Sequence, residues 1–225
     1  MRLTLVWTGT ALILLLAIGL ATSPVGAMPV VKTGTPSPRG LFEDDFATYS
    51  RRWQEKESAK WSVSYAEGAL VLRVVSPGVV TWSVPDFEAA LGAYRAEATF
   101  AVTEDSAPDS LAGLVVNYRS DDDFYAVLVN PAGDWSVRRM HAGDWEDLTP
   151  LDAEPLSLAP SSALRLWVEV HAGQLTLAIN DEMAASVEID DDLLAGTIGL
   201  VAQAGHGYVE VVCDDMQVVS LNGSK

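Results

Sequence analysis

The stretch from Leu111 to Met140, LAGLVVNYRSDDDFYAVLVNPAGDWSVRRM, constrains the fold more than any other part of the chain. Three runs of alternating apolar and polar residues are separated by two polar turns, SDDD and NPAG. Successive side chains of an extended strand point to opposite faces, so this pattern reads as a three-strand antiparallel meander. One face takes Leu114, Val116 and Tyr118, then Tyr125, Val127 and Val129, then Trp135, Val137 and Arg139. The other takes Val115, Asn117 and Arg119, then Phe124, Ala126 and Leu128, then Ser136, Arg138 and Met140. The first face is built to be covered by a second layer. The second mixes aromatic, basic and amide groups.

From Leu41 onward the same kind of run recurs at intervals of roughly ten residues. The further runs are LFEDDF, WSVSYAE, ALVLRVV, VVTWSV, AYRAEATFAVT, ALRLWVEVH, QLTLAIN, MAASVEI, GTIGLVAQA and YVEVVCDDMQVVSL. Between them stand AEG, SPG, NPAG, HAGD, HAGQ and INDE, which put Gly or Asn where a hairpin turn needs positive φ. Helical periodicity is confined to a single turn near Phe87 to Tyr94 and another near Asp190 to Leu194. The chain therefore reads as all-β. A propeller would repeat at about forty residues, and no such repeat is present. The long runs AYRAEATFAVT and ALRLWVEVH suit wide sheets packed face to face, which predicts a two-sheet antiparallel sandwich or jelly roll.

Arg2, the apolar run Ala11 to Ala21, and small residues at Val25 and Ala27 have the form of a cleaved export signal over residues 1–27. The competing reading is an uncleaved anchor, because Leu5 to Ala21 approaches the roughly 20 residues of a membrane span. Residues 28–40, MPVVKTGTPSPRG, read as a flexible linker, 41–221 as the sandwich and 222–225 as a tail. The expected location is secreted or extracytoplasmic, with no membrane association once the signal is removed.

Against 14 basic residues stand 31 acidic ones, giving a net charge of −17 that becomes one unit more negative without Arg2. Such a surface repels phosphate backbones, so nucleic acid and anionic lipid are not expected partners. Cys213 is the only cysteine and falls in an alternating apolar run, where it packs as a small hydrophobe. Stability then rests on the core rather than on disulfides. His141, His171 and His206 have no zinc-ligand spacing.

The order of LFEDDFATYSRRWQ, WSVSYAEGALVL, GLVVNY, DFYAVLV, GDWSVRR, LRLWVEVHAGQLTLAIN, GTIGLVA and VCDDMQV resembles the concanavalin A-like lectin/glucanase superfamily. Laminin-G-like domains and bacterial domains of the 3-keto-disaccharide hydrolase type are the nearest in pattern. The resemblance covers residues 41–221 and implies a jelly roll of two sheets, one of them concave, with carbohydrate as the usual ligand class. Glucanases of this fold carry Glu-x-Asp-x-x-Glu on one strand. Here Glu188-Ile189-Asp190-Asp191-Asp192-Leu193 has Leu193 in the last acidic position, so that catalytic pair is incomplete.

Related sandwiches hold a structural calcium where first and last strands meet, which would bring Glu43 or Asp45 near Asp215 and makes Ca2+ the one cofactor considered. The alternative is that these acids are solvated edge residues that discourage strand addition. Asp121-Asp122-Asp123 reads as a polar hairpin turn. For a ligand, alternation places Arg95 and Glu97, Asn117 and Arg119, Arg138, and Arg165, Trp167 and Glu169 outward, taken together as one sheet face suited to stacking a sugar ring and bonding its hydroxyls. The alternative is a face of ordinary cross-strand salt bridges. Trp53, Trp61, Trp82 and Trp135 are expected in the core, with Trp145 at a rim. The function expected is a secreted, monomeric, non-catalytic carbohydrate-binding or cell-surface module. A glycoside-type hydrolase acting on 3-keto-disaccharides or related glycans, and an adhesive domain binding a protein, are the alternatives. The lectin-like reading requires two layers with an outward side that stays open and polar.

Overall fold

A computed structural model describes residues 39–87, 92–158, 163–190 and 196–221. Among them there are strands and no helix. In chain order the strands are β1 (Arg39–Asp44), β2 (Lys56–Glu57), β3 (Trp61–Ala66), β4 (Ala69–Val74), β5 (Val80–Ser83), β6 (Tyr94–Val102), β7 (Leu111–Ser120) and β8 (Asp123–Val129). They continue with β9 (Trp135–His141), β10 (Asp144–Asp147), β11 (Leu164–His171), β12 (Gln174–Ile179), β13 (Glu182–Glu188), β14 (Thr197–Gln203) and β15 (Val209–Ser220). Every run read from the sequence is a strand, and the short β2 and β10 are additional. Of the two segments expected to form a turn of helix, residues 88–91 of the first and 191–194 of the second lie outside the described residues. The tail at 222–225 lies outside them as well.

Two antiparallel sheets form the sandwich. The nine-stranded sheet runs β13-β12-β11-β6-β15-β4-β3-β2, with β1 also paired to β15. The six-stranded sheet runs β10-β9-β8-β7-β14-β5, so the meander is its central part. Arg39 and Gly40, assigned to the linker from sequence, already pair with Ser220 and Val219. Hairpin turns carry the expected chemistry: Glu67 and Gly68, Ala142 and Gly143, and Ala172 and Gly173 all have positive φ. Two consecutive positive φ values match the right-handed twist of the strands they join, which is why glycine ends each pair.

The core lies between the sheets. The nine-stranded sheet contributes Leu70, Leu72, Tyr94, Phe100, Leu166, Val168, Leu175, Leu177, Met216 and Val218, all buried. The six-stranded sheet contributes Leu114, Val116, Tyr125, Val127, Val137, Ile198 and Leu200. Trp53 is in this core, as expected, its indole N–H donating to Asp44 at 3.2 Å. Cys213 is buried, and burial pushes its thiol well above the usual range.

One residue overturns part of the alternation. Asn117 has φ +52° and sits in a bulge that shifts the β7 register on both sides. The extra residue reverses the inward and outward phase beyond it. Asn117 is consequently 1% exposed and accepts the Tyr94 hydroxyl at 2.8 Å, whereas Tyr118, expected inward, packs on the outer side of the sheet. Close approach of β14 contributes: a Cβ on Gly196 would stand 2.8 Å from the Asn117 carbonyl carbon.

Candidate ligand-binding face

The ligand face expected from sequence is divided by the sandwich. Arg95, Glu97, Arg165, Trp167 and Glu169 lie together on the outer side of the nine-stranded sheet, where Glu169 pairs with Arg95 and Trp167 with Glu97. Arg138 lies on the outer side of the six-stranded sheet, on the opposite side of the molecule. Asn117 is between the layers, and Arg119 donates to Asp123 at 3.1 Å. The alternation assigned each side chain a face of its own strand. It carried no information about which strands share a sheet.

On the nine-stranded sheet the polar groups satisfy one another. Arg95 donates to Glu169 at 2.8 Å and its guanidinium lies 4.5 Å from the Trp167 ring centre. Arg165 donates to Glu97 at 2.5 Å, and Asp181 is within 3.4 Å. The hydrogen bond and charge of Glu97 push the Arg165 guanidinium above its usual value. This is the cross-strand pairing alternative realised in the folded chain.

The outer side of the six-stranded sheet was expected open and polar. Its floor is instead a second apolar cluster of Val115, Phe124, Ala126, Leu128, Met140 and Val201. Phe124 is its centre. Three further rings surround it, with centroids at 4.9 Å for Trp82, 5.8 Å for Tyr118 and 5.5 Å for Trp145. Trp82 and Tyr118 are partly exposed and Trp145 is 39% exposed. Aromatic rings pack most favourably offset or edge to face at such distances, so each holds the others in place.

Asp121 positions two of these rings. Its Oδ1 accepts the Trp82 indole N–H at 3.1 Å and the Tyr118 hydroxyl at 2.7 Å. Burial, followed by the hydrogen bond and charge of Asp121, pushes the Tyr118 hydroxyl up to about 12. The sequence treated Asp121 as a turn residue and Trp82 as core. Asp121 is in that turn, but it also serves a side chain on β5, which no local pattern reveals. Trp145 projects at the rim as expected.

Beside the aromatic group lies a polar one. Arg138 donates to Gln203 at 2.8 Å and stands opposite Ala126 on the neighbouring strand. Asp147, paired with Arg138 across β9 and β10, is pushed up by burial, but hydrogen bonds from Thr149 and the charge of Arg138 outweigh this and hold it below its ordinary value. Ser136 is 7% exposed on the same side, and its hydroxyl has no hydrogen-bond partner. An unsatisfied buried hydroxyl costs free energy, about 1–3 kcal/mol, and this one is closed off from the surface.

The calcium expectation rests on the terminal strands meeting. The terminal strands do pair, with Glu43 opposite Gln217 and Asp44 opposite Met216. Yet no group of three or more His, Cys, Asp or Glu residues is arranged to hold a metal among the described residues. Asp44 accepts bonds from the Phe46 N–H, the Ser50 hydroxyl and the Trp53 indole, Asp45 accepts the Ala47 N–H, and Asp215 lies in the field of Arg165. The β1–β15 pairing thus runs up to the residues from which a shared ion is expected, Glu43, Asp45 and Asp215.

The fold is a jelly-roll β-sandwich. Protein-family models and curated proteins give no match to the chain. Solved structures do. The carbohydrate-binding module CBM66 of Bacillus subtilis aligns with a TM-score of 0.55 and 14% identity, over 75% of this chain and 96% of that one. A Bacillus subtilis protein of unknown function with a galectin-like fold aligns at 0.57 and 14%, over 81% and 96%. The carbohydrate recognition domain of Emp46p in its metal-free form aligns at 0.55 and 15%, over 80% and 94%. At these identities the likeness is one of fold.

Proposed function

We propose that the chain is an exported, non-catalytic glycan-binding module whose ligand lies on the outer side of the six-stranded sheet. The observation that carries this reading is the set of partly exposed rings of Trp82, Tyr118 and Trp145 held around Phe124. Arg138 and Gln203, hydrogen-bonded to each other, stand beside them. Sugars present an apolar ring face and a hydroxyl edge, and this surface offers a counterpart to each. Two of the aligned structures are named for binding carbohydrate, which agrees with the reading.

The floor is apolar where the lectin-like reading called for an open, polar side, so the proposal rests on the partly exposed rings at its edge and on Arg138 and Gln203 alone. Asp121 and Asp147 stand on this side of a chain with net charge −17, so the ligand is an uncharged glycan rather than a uronate or sulfated one. Glycoside hydrolysis needs one carboxyl held protonated as an acid. Asp147 is shifted the other way and Asp121 is committed to Trp82 and Tyr118. Residues 1–27 act as the export signal in this reading, and the mature chain is a monomer.

The test is titration of the protein with neutral polysaccharides, followed by tryptophan fluorescence. Trp82→Ala and Trp145→Ala should each lower affinity, and Trp167→Ala should not. Failure of every neutral glycan to bind more tightly than about 1 mM would remove the proposal. Release of reducing sugar during incubation would favour a hydrolase instead.

A further inference from the structure

The nine-stranded sheet ends at β13, which among the described strands pairs only with β12. The outer edge of β13 borders a groove of about 600 Å3, whose other wall is the segment 150–157. That wall is fixed in place: the Trp135 indole donates to the Glu154 carbonyl at 3.1 Å, and the Leu156 N–H donates to the Gly133 carbonyl at 3.0 Å. Gly133, at φ +92°, permits the contact, since a Cβ there would stand 2.0 Å from the Leu156 oxygen. Among the described residues, two of the most exposed large apolar side chains are next in sequence to lining residues, Leu151 at 108% and Met183 at 56%.

A strand edge leaves alternate N–H and C=O groups pointing outward, and an extended peptide satisfies them by adding a strand. Three carboxylates line the groove, Asp152, Glu154 and Glu182, with no lysine or arginine among its lining residues. A second copy of this chain is a poor occupant. Antiparallel self-pairing of Glu182-Met183-Ala184-Ala185-Ser186-Val187-Glu188 about Ala185 sets Glu182 against Glu188 of the other copy at both ends, and like charges directly opposite are destabilising.

We propose that the β13 edge is a docking site for an extended basic peptide segment, with lysine or arginine alternating with small apolar residues, which adds antiparallel or parallel to β13. The acids that deter self-association then select the partner. This site is separate from the glycan face and does not depend on it.

The experiment uses the full chain and a fluorescently labelled, blocked peptide of sequence Lys-Val-Lys-Val-Lys-Val, with its Glu-Val counterpart and an analogue N-methylated at alternate residues. The basic peptide should bind at least about 10-fold more tightly than the acidic one, since opposite charges line the groove. N-methylation, which removes ladder donors, should cost about 10-fold. The Glu154→Lys/Glu182→Lys variant, altered at exposed positions, should reverse the charge preference and leave glycan titrations unchanged. Equal affinity for the two peptides, full binding of the N-methylated analogue, or loss of binding in Trp82→Ala would each overturn the proposal. So would sedimentation showing a dimer that excludes the peptide.

Discussion

The outer sides of the two sheets show how similar residue types lead to different surfaces. Both carry a tryptophan, an arginine and carboxylates. On the nine-stranded sheet Arg95 is bound to Glu169 and lies over Trp167, and Arg165 is bound to Glu97, so donors, acceptors and ring are engaged by neighbours on adjacent strands. On the six-stranded sheet the rings gather around Phe124, Asp121 fixes two of them, and the Ser136 hydroxyl has no partner. The first surface is self-satisfied. The second presents an aromatic platform of partly exposed rings held in place by one another, and recognition draws on such positioned groups.

The comparison breaks first if the two aromatic centres prove equivalent in stability. Phe124→Ala removes the fully buried ring that three others touch, and large aromatic truncations of this kind cost about 3–5 kcal/mol. Trp167→Ala, at a partly exposed ring under one guanidinium, should cost less, about 1–3 kcal/mol from lost burial and the cation–π contact. Urea unfolding of both variants reads the difference, and similar losses would dissolve the distinction.

Binding gives the next largest effect. Trp82→Ala and Trp145→Ala are each expected to weaken glycan affinity by about 10- to 100-fold, the scale of aromatic anchors in recognition surfaces. Calorimetric titration with the same polysaccharide should show Trp167→Ala within about 2-fold of the parent, as expected for a residue outside the site.

A pH experiment sharpens the role of Asp121. The folded Tyr118 keeps its proton up to about 12, above the ordinary value of 10.0. Its contribution to stability is therefore fully present below about pH 10 and is lost as pH rises toward 12, because only the unfolded chain ionises in between. Tyrosinate absorbance, compared between the parent and Tyr118→Phe, isolates this group. Asp121→Asn should bring its titration back toward, but not to, the ordinary value, since burial is the larger cause. An unchanged curve would deny Asp121 its positioning role.

The smallest effect belongs to the other side. A double-mutant cycle on Arg95 and Glu169 should give a coupling of about 0.2–1 kcal/mol that fades with salt, as partly exposed ion pairs do. A coupling well above that range would mean that the nine-stranded surface is a constrained, functional array after all.

Strand positions, the hairpin turns at Glu67-Gly68, Ala142-Gly143 and Ala172-Gly173, and the two-layer class were legible from the chain alone, because period-two alternation and positive-φ turns are local properties of consecutive residues. Trp145 was legible as a rim residue for the same reason. Asp121, Trp82 and Tyr118 were not legible as a group. Asp121 and Trp82 lie 39 positions apart, and only the β7–β14–β5 pairing brings them together.

Alternation alone fixed which side of its own strand each residue occupies, except where the Asn117 bulge reverses it. Tertiary structure decided the rest, including that Arg138 and Arg95 face opposite sides of the molecule. A strand's own residues set its two faces, but sheet membership is set by hydrogen bonds to strands far along the chain, so neighbours across a surface are a property of the fold.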